Sequence, residues 1–372
     1  FGAMLKIIPC QQTGGEWSRL TNKGLIMTIT PVEREDELSE KDYILMRAFF
    51  PKFGELERGT KIYSNPERWC TGTPFGPVDF VPWDASEEHL RKFKLLVYMG
   101  VNAMDEEQWR RLKGFVKQGG TLVLSVGHLL VRGAEPRSLF MTEDYPEVLG
   151  VRILTEWRGK GHENVPVRLD GPHVAEWEGK KCVVSDYYAV EVVSPHAEVV
   201  AKVEPTGDPL VVGHPFGKGK VWLFATRSLS RIRPLEVVEN FLARLAEGAK
   251  MLEFIPPSDW LEYFVQTKGK SFILAIFNHG RGVFPSGNGV DHGAWRGEVC
   301  VNLENLGLGS RDLCVYRVRL PREKLGPVRL EPVEFEVVGD KLRFRLKVER
   351  FEEILIGPQE TAKQDFFGER AS

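Results

Sequence analysis

The chain has 372 residues, 42% hydrophobic and 27% charged, which is enough for two or three domains with ample core. Its 50 Lys and Arg stand against 52 Asp and Glu, a formal net charge of −2. That balance argues against nucleic acid as a partner, because nucleic-acid binders carry a basic surplus or stripe. No apolar run approaches the ~18 residues of a membrane span, and no basic-then-apolar leader opens the sequence. Five cysteines (Cys10, Cys70, Cys182, Cys300, Cys314) are scattered, with no C-x-x-C pair among them. The common zinc and thioredoxin motifs are therefore absent, and an odd, sparse set predicts reduced thiols and a cytoplasmic location. Phe1-Gly2-Ala3-Met4 does not read as a natural start. The expectation is a tag remnant or a chain that begins inside a longer parent.

In chain order, residues 1–22 read as an N-terminal segment or linker. Residues 23–30 (KGLIMTIT) form an apolar run ended by Pro31. Residues 35–50 begin acidic and turn apolar, as a helix complementing its own macrodipole would. A polar, aromatic loop follows over residues 63–76, then a brief strand at 78–81 and a short helix at 86–93. Residues 95–99 (LLVYM) are wholly apolar, the mark of a strand buried on both faces. Asp105 can cap the next helix, with Gln108 three residues on. Trp109, Leu112, Phe115 and Val116 recur at helical spacing, and Gly119-Gly120 ends the helix. Residues 121–124 (TLVL) are another buried strand. Strands separated by helices of this length predict right-handed crossovers and a parallel sheet.

From about Gly150 the segments shorten and alternate. Residues 198–203 (EVVAKV), a turn at 205–209 and the Gly-rich 214–220 (HPFGKGK) leading into VWLFA are hairpin signals. This stretch, about 150–225, is expected to be a β-rich insertion. A helix opened by Pro234 closes it, with Leu235, Val238, Phe241, Leu242 and Leu245 on one side. After residue 251 the sequence alternates at period two, as in Val299, Val301 and Leu303, then Val333, Phe335 and Val337. Such spacing predicts a β-sandwich over 251–358. The polar tail, 359–372, is expected to be disordered.

Ser125 sits where a strand meets a turn (LSVGH), with Gly127 two residues on and His128 beside it. A nucleophile elbow places its Ser or Cys on such a turn between small residues. The position two before Ser125 is Val123, where an elbow wants Gly. A triad also needs a His and an acid brought from elsewhere in the fold. The order LLVYMG, capped helix, GGTLVLSVGHLL resembles class I glutamine amidotransferase-like domains, whose elbow reads Gly-x-Cys-x-Gly-His. Aligning the Gly-His puts Ser125 at the cysteine, which implies a retired elbow. Pro234-Leu235-Glu236 has a Glu but no His two residues before it.

A narrower resemblance is to the amidotransferase-like trimerisation domain of glycoside hydrolase family forty-two β-galactosidases, carried by residues 94–129 and 209–226. In those enzymes the domain follows a catalytic barrel and precedes a small β-domain. The resemblance covers roughly residues 23–358 by layout. It implies an α/β, flavodoxin-like parallel sheet with a β-rich insertion over residues 23–250, followed by an all-β sandwich. A barrel needs about 250 residues, and the two domains already fill the chain. The resemblance thus implies a non-catalytic oligomerising region, with the hydrolytic carboxylates elsewhere. Its implied partners are carbohydrate, a barrel domain and sister subunits.

Two alternatives are an autonomous hydrolase using Ser125 and His128, and a carbohydrate-binding module that an exposed row of aromatics would mark. The loop at 63–75 offers Tyr63, Asn65, Glu67, Arg68, Trp69 and Phe75. Flat rings stack on sugars and the polar groups pair with hydroxyls, so Tyr63, Asn65, Arg68 and Trp69 are the substrate-contact candidates. Asn278-His279 with Asp291-His292 matches no metal spacing, and residues 280–295 read as a mobile hairpin end. Residues 214–220 lack the Ser/Thr and helix of a phosphate loop. The acidic run 33–40 reads as a solvated helix start. No cofactor or metal is expected.

Overall fold

The computed structural model describes residues 5–8, 45–49, 75, 78–80, 85–91, 93–98, 103–131, 142–158, 164–258, 261–278, 293–319 and 328–367. The chain divides into two compact units. The first comprises Leu5–Ala48 and Asp79–Gly248, the second Phe1–Met4, Phe49–Val78 and Ala249–Ser372.

The strands of the first unit begin with β1 (Leu5–Ile8), β2 (Val78–Phe80), β3 (Leu95–Tyr98), β4 (Ala103–Met104), β5 (Thr121–Ser125) and β6 (Leu130–Val131). They continue with β7 (Val151–Arg158), β8 (Val165–Leu169), β9 (Cys182–Val184) and β10 (Tyr187–Val192). The last are β11 (Glu198–Val203), β12 (Pro209–Phe216), β13 (Gly219–Phe224) and β14 (Ile232–Arg233). Ten of them form one mixed sheet in the order β14-β9-β8-β11-β12-β13-β5-β3-β1-β2. β1, β3, β5 and β13 run parallel, and β12, β11, β8, β9 and β14 continue the sheet antiparallel.

The parallel strands are continuous apolar runs because both faces are covered: Leu95 to Tyr98 and Leu122 to Leu124 are all buried. The stretch 150–225 is β-rich as expected, and its strands β8, β9, β11, β12 and β13 join the same sheet. β13 (GKVWLF) buries Val221 to Phe224, so it takes a central place beside β5 and the neighbouring hairpin strands extend the same sheet. Residues 1–22, expected as a linker, supply β1, whose Leu5 to Ile8 pair with Leu95 to Tyr98. The expected strand at 23–30 lies outside the described residues. Of the expected helix at 35–50, residues 45–49 are described, and Leu45–Ala48 form a single 3-10 turn.

Helix Glu106–Lys117 is capped as its sequence predicts. Asp105 Oδ1 accepts the Gln108 N–H at 2.8 Å, and Trp109, Leu112, Phe115 and Val116 are buried. A Cβ at Gly120 would stand 2.3 Å from the Phe115 ring, so only glycine lets the chain leave the helix there. Helix Leu235–Ala249 buries Val237, Val238, Phe241, Leu242 and Ala246. Phe241 meets Trp222 and Phe224 edge-on at 5.1 and 5.6 Å.

The second unit holds β15 (Leu252–Ile255), β16 (Leu261–Lys268), β17 (Ser271–Asn278), β18 (Trp295–Asn302) and β19 (Leu313–Arg319). β20 (Arg329–Pro332), β21 (Phe335–Val338), β22 (Lys341–Val348) and β23 (Phe351–Pro358) complete it. They form a four-stranded sheet, β15-β18-β22-β21, and a five-stranded sheet, β16-β17-β23-β19-β20. All the pairings are antiparallel. β22 shows the period-two signal in full, with Leu342, Phe344, Leu346 and Val348 buried and Lys341, Arg345 and Lys347 exposed. Phe254 of one sheet meets Tyr263 of the other edge-on at 6.0 Å, and Asn278 Nδ2 donates across to Val348 O at 3.2 Å.

Two further expectations are corrected here. Phe49 and Phe75 belong with this unit: their rings meet at 6.4 Å, and Tyr263 OH donates to Phe75 O at 3.1 Å. Both lie within residues 23–250, which the sequence assigns to the sheet domain, and a tie across so long a sequence separation leaves no local pattern. The tail expected to be disordered beyond Pro358 instead forms helix Ala362–Phe367. Asp365 accepts from Lys270 N at 3.1 Å and Ser271 Oγ at 2.7 Å, and Ala362 is buried with Ile273, Val318 and Leu355.

Candidate functional site

In an open α/β sheet, ligand crevices form outside the carboxyl ends of the parallel strands. Here β5 ends at Ser125 and runs straight into the 3-10 turn Val126–Leu129. That tight turn swings His128 back over Ser125. Ser125 N donates to His128 Nδ1 at 2.9 Å, and Ser125 Oγ lies 3.1 Å from the same nitrogen. With Nδ1 accepting the backbone N–H, the tautomer that fits this arrangement carries its proton on Nε2. The serine hydroxyl donates to Arg227 O at 3.2 Å.

The imidazole lies against the Tyr98 ring, with centroids 5.4 Å apart. Tyr98 OH accepts from Gln108 Nε2 at 2.6 Å. Burial pushes the Tyr98 phenol far above its ordinary range, the Gln108 donor opposing it.

The segment after β13 closes this end of the sheet. Gly127 N donates to Thr226 O at 3.2 Å, Thr226 Oγ1 donates to Ser228 O at 2.7 Å, and Ser228 Oγ lies 3.1 Å from Ser230 Oγ. Ser125, His128, Thr226 and Ser228 each expose 0% of their surface. Just beyond, Arg231 Nε stands 3.3 Å from the buried Asp186 Oδ1. The space an elbow would leave for substrate is filled by residues 226–230. Ser125 and His128 are joined through the serine's backbone N–H, its hydroxyl is committed to Arg227 O, and both side chains are sealed from solvent. The sequence signal that could have pointed here is the run TRSLS directly after an apolar strand. Its folding back over Ser125 is non-local and has no local signature.

The substrate-contact candidates Tyr63, Asn65, Arg68 and Trp69 lie outside the described residues, as do His279, Asp291 and His292. Asn278 is described and is structural: besides Val348 O, its Nδ2 reaches Gly293 O at 3.0 Å. Among the described residues, no group of three or more His, Cys, Asp or Glu could hold a metal ion. Residues 214–220 form the β12–β13 hairpin, with Gly217 at φ +61°. His214 is a satisfied core histidine, its Nδ1 3.0 Å from Val148 O and its Nε2 2.8 Å from Ser194 Oγ. Cys182, Cys300 and Cys314 are free, buried thiols. No described helix is long and apolar enough to cross a membrane.

The fold is a mixed α/β sheet with a closed turn at the end of β5. Residues 76–251 match the family model of the beta-galactosidase trimerisation domain. That stretch thus resembles an accessory domain of beta-galactosidases. No curated protein matches the sequence. Among solved structures, the β-galactosidase of Bacillus circulans sp. alkalophilus is 15% identical over 96% of this chain and 41% of its own, with a TM-score of 0.46. That of Rahnella sp. R3 is 14% identical over 95% and 41%, at 0.46. Alpha-L-fucosidase isoenzyme 2 of Paenibacillus thiaminolyticus is 13% identical over 76% and 43%, at 0.49. The chain spans about two fifths of the length of these β-galactosidase chains.

Proposed function

We propose that the chain is a non-catalytic oligomerisation and accessory region of a cytoplasmic glycoside hydrolase. It would support the sugar site of a catalytic barrel that lies outside this chain, with carbohydrate and sister subunits as partners. Its first unit would be a flavodoxin-like, amidotransferase-like sheet and its second a β-sandwich. The match of residues 76–251 to a trimerisation domain carries the reading. The sealed Ser125–His128 pair supports it against an autonomous hydrolase. The discriminating experiment is turnover of acyl and amide substrates by the purified chain and by Ser125→Ala. The proposal expects no turnover from either, and turnover lost on Ser125→Ala would establish the hydrolase instead. Trp69→Ala in the parent enzyme is expected to weaken sugar binding without lowering Tm, and unchanged activity would remove that loop from the site.

One observation favours a second reading, a carbohydrate-binding module. β16, β17 and β23 carry Phe264, Phe277 and Phe351 as a row of rings with centroid spacings of 5.8 and 4.8 Å. Phe264 is 40% and Phe351 38% exposed. Register places Glu353 on the same face, opposite Ala275, and burial raises its carboxyl above the usual range. Flat apolar rings beside a poorly solvated acceptor suit a sugar ring. Phe264→Ala should then reduce retention on galactan, and unaltered retention would remove this reading.

A further inference from the structure

The outer face of the four-stranded sheet carries an open groove of about 670 Å³, lined by Ile255, Arg296, Gly297, Glu298, Arg345, Leu346 and Lys347. That volume is within the range of small-molecule sites. It lies outside the residues matched to the trimerisation domain.

Strand register explains its charge. Arg296 stands directly opposite Lys347, and Glu298 opposite Arg345. Side chains at alternate positions share a face, so three cations surround one carboxylate. Like charges directly opposed across a ladder are destabilising. Lys347 is relieved by Glu349, 2.5 Å from its Nζ. Glu298 leans to Arg343 at 3.9 Å. Arg296 and Arg345 are left exposed, with no acidic partner among the described residues. The exposed Ile255 adds an apolar wall.

We infer that this groove binds an acidic saccharide, its carboxylate held by Arg296 and Arg345 and its hydroxyls by Glu298. Guanidinium forks match carboxylate geometry in a way that lysine does not. The Glu298 carboxylate suits hydroxyl donors, and one short groove on a chain of net charge −2 is not a nucleic-acid stripe. The choice of a sugar scaffold rests on the proposed function; the anion preference rests on the groove alone.

The test is calorimetric titration of the full chain with trigalacturonate, neutral galactotriose and inorganic sulfate. Trigalacturonate should bind saturably and tighter than either control. Arg296→Gln with Arg345→Gln should weaken it at least about tenfold, the scale of a lost charge-assisted pair, with Tm unchanged. Glu298→Gln is an independent check, since removing the one like charge should tighten trigalacturonate and weaken any residual galactotriose binding. No saturable trigalacturonate binding, binding indifferent to the two arginines, or sulfate binding as tightly would each overturn the inference. Failure of the oligomer measurement would strike the glycosidase reading, whereas failure here strikes only this groove.

Discussion

Gly127 and Arg227 approach so closely that a Cβ on the glycine would stand 1.8 Å from the Arg227 carbonyl oxygen. The same carbonyl accepts the Ser125 hydroxyl. Glycine at 127 therefore allows the Arg227 backbone to approach the end of β5.

Gly127→Ala should force the two segments apart. Overpacking of this kind costs about 1–3 kcal/mol, to be read from the midpoint of urea unfolding. A change under about 0.5 kcal/mol, the size of an ordinary surface substitution, would show that the close approach is not a structural constraint.

Ser125→Ala removes the fully buried hydroxyl that donates to Arg227 O. Losing that hydrogen bond should cost about 0.5–1.5 kcal/mol. A stability loss accompanied by unchanged oligomer mass is the expected pattern.

Asp144 predicts an acid-labile tie. Burial works against its charge, but hydrogen bonds from Lys113, Thr142 and Trp109 Nε1 prevail and hold its carboxyl at about 2. The folded-state value lies below the unfolded one, near 3.9. Its stabilisation is therefore present above pH ~4 and lost as pH falls from about 4 to 2. The side chain is 37% exposed, and solvent screening reduces the effect to about 1 kcal/mol. Asp144→Asn should flatten the stability profile across that window, and an unaltered acid limb would refute the assignment.

Asp365→Ala should free the C-terminal helix, because this carboxylate ties Thr361, Lys270 and Ser271 together. Amide exchange in residues 362–367 should rise by at least about tenfold, one lost charge-assisted hydrogen bond's worth, while β17 stays protected. Equal protection in both proteins would assign the helix to burial of Ala362 alone.

Much of the first unit is legible in the sequence because its signals are local. LLVYM and TLVL are unbroken apolar runs, and the helix between them has a side-chain cap, an apolar face and a glycine stop. The period-two alternation of β22 is equally plain. What was not legible depends on distant partners. β1 is four residues with no periodicity, placed by pairing with β3. β13 reads as one arm of a hairpin, and only its burial on both faces makes it central. The closure over Ser125, the tie from Tyr263 to Phe75 and the Phe264–Phe277–Phe351 row join residues far apart in sequence. Val123 and Ser125 stand where the resembled elbow has Gly and Cys, but the segment that covers Ser125 emerges only from the fold.

Sedimentation equilibrium of the purified chain tests the central claim most directly. The account predicts a trimer, at three times the 42.2 kDa chain mass, persisting at micromolar concentration and independent of Ser125. A monomer of 42.2 kDa across that range would contradict it.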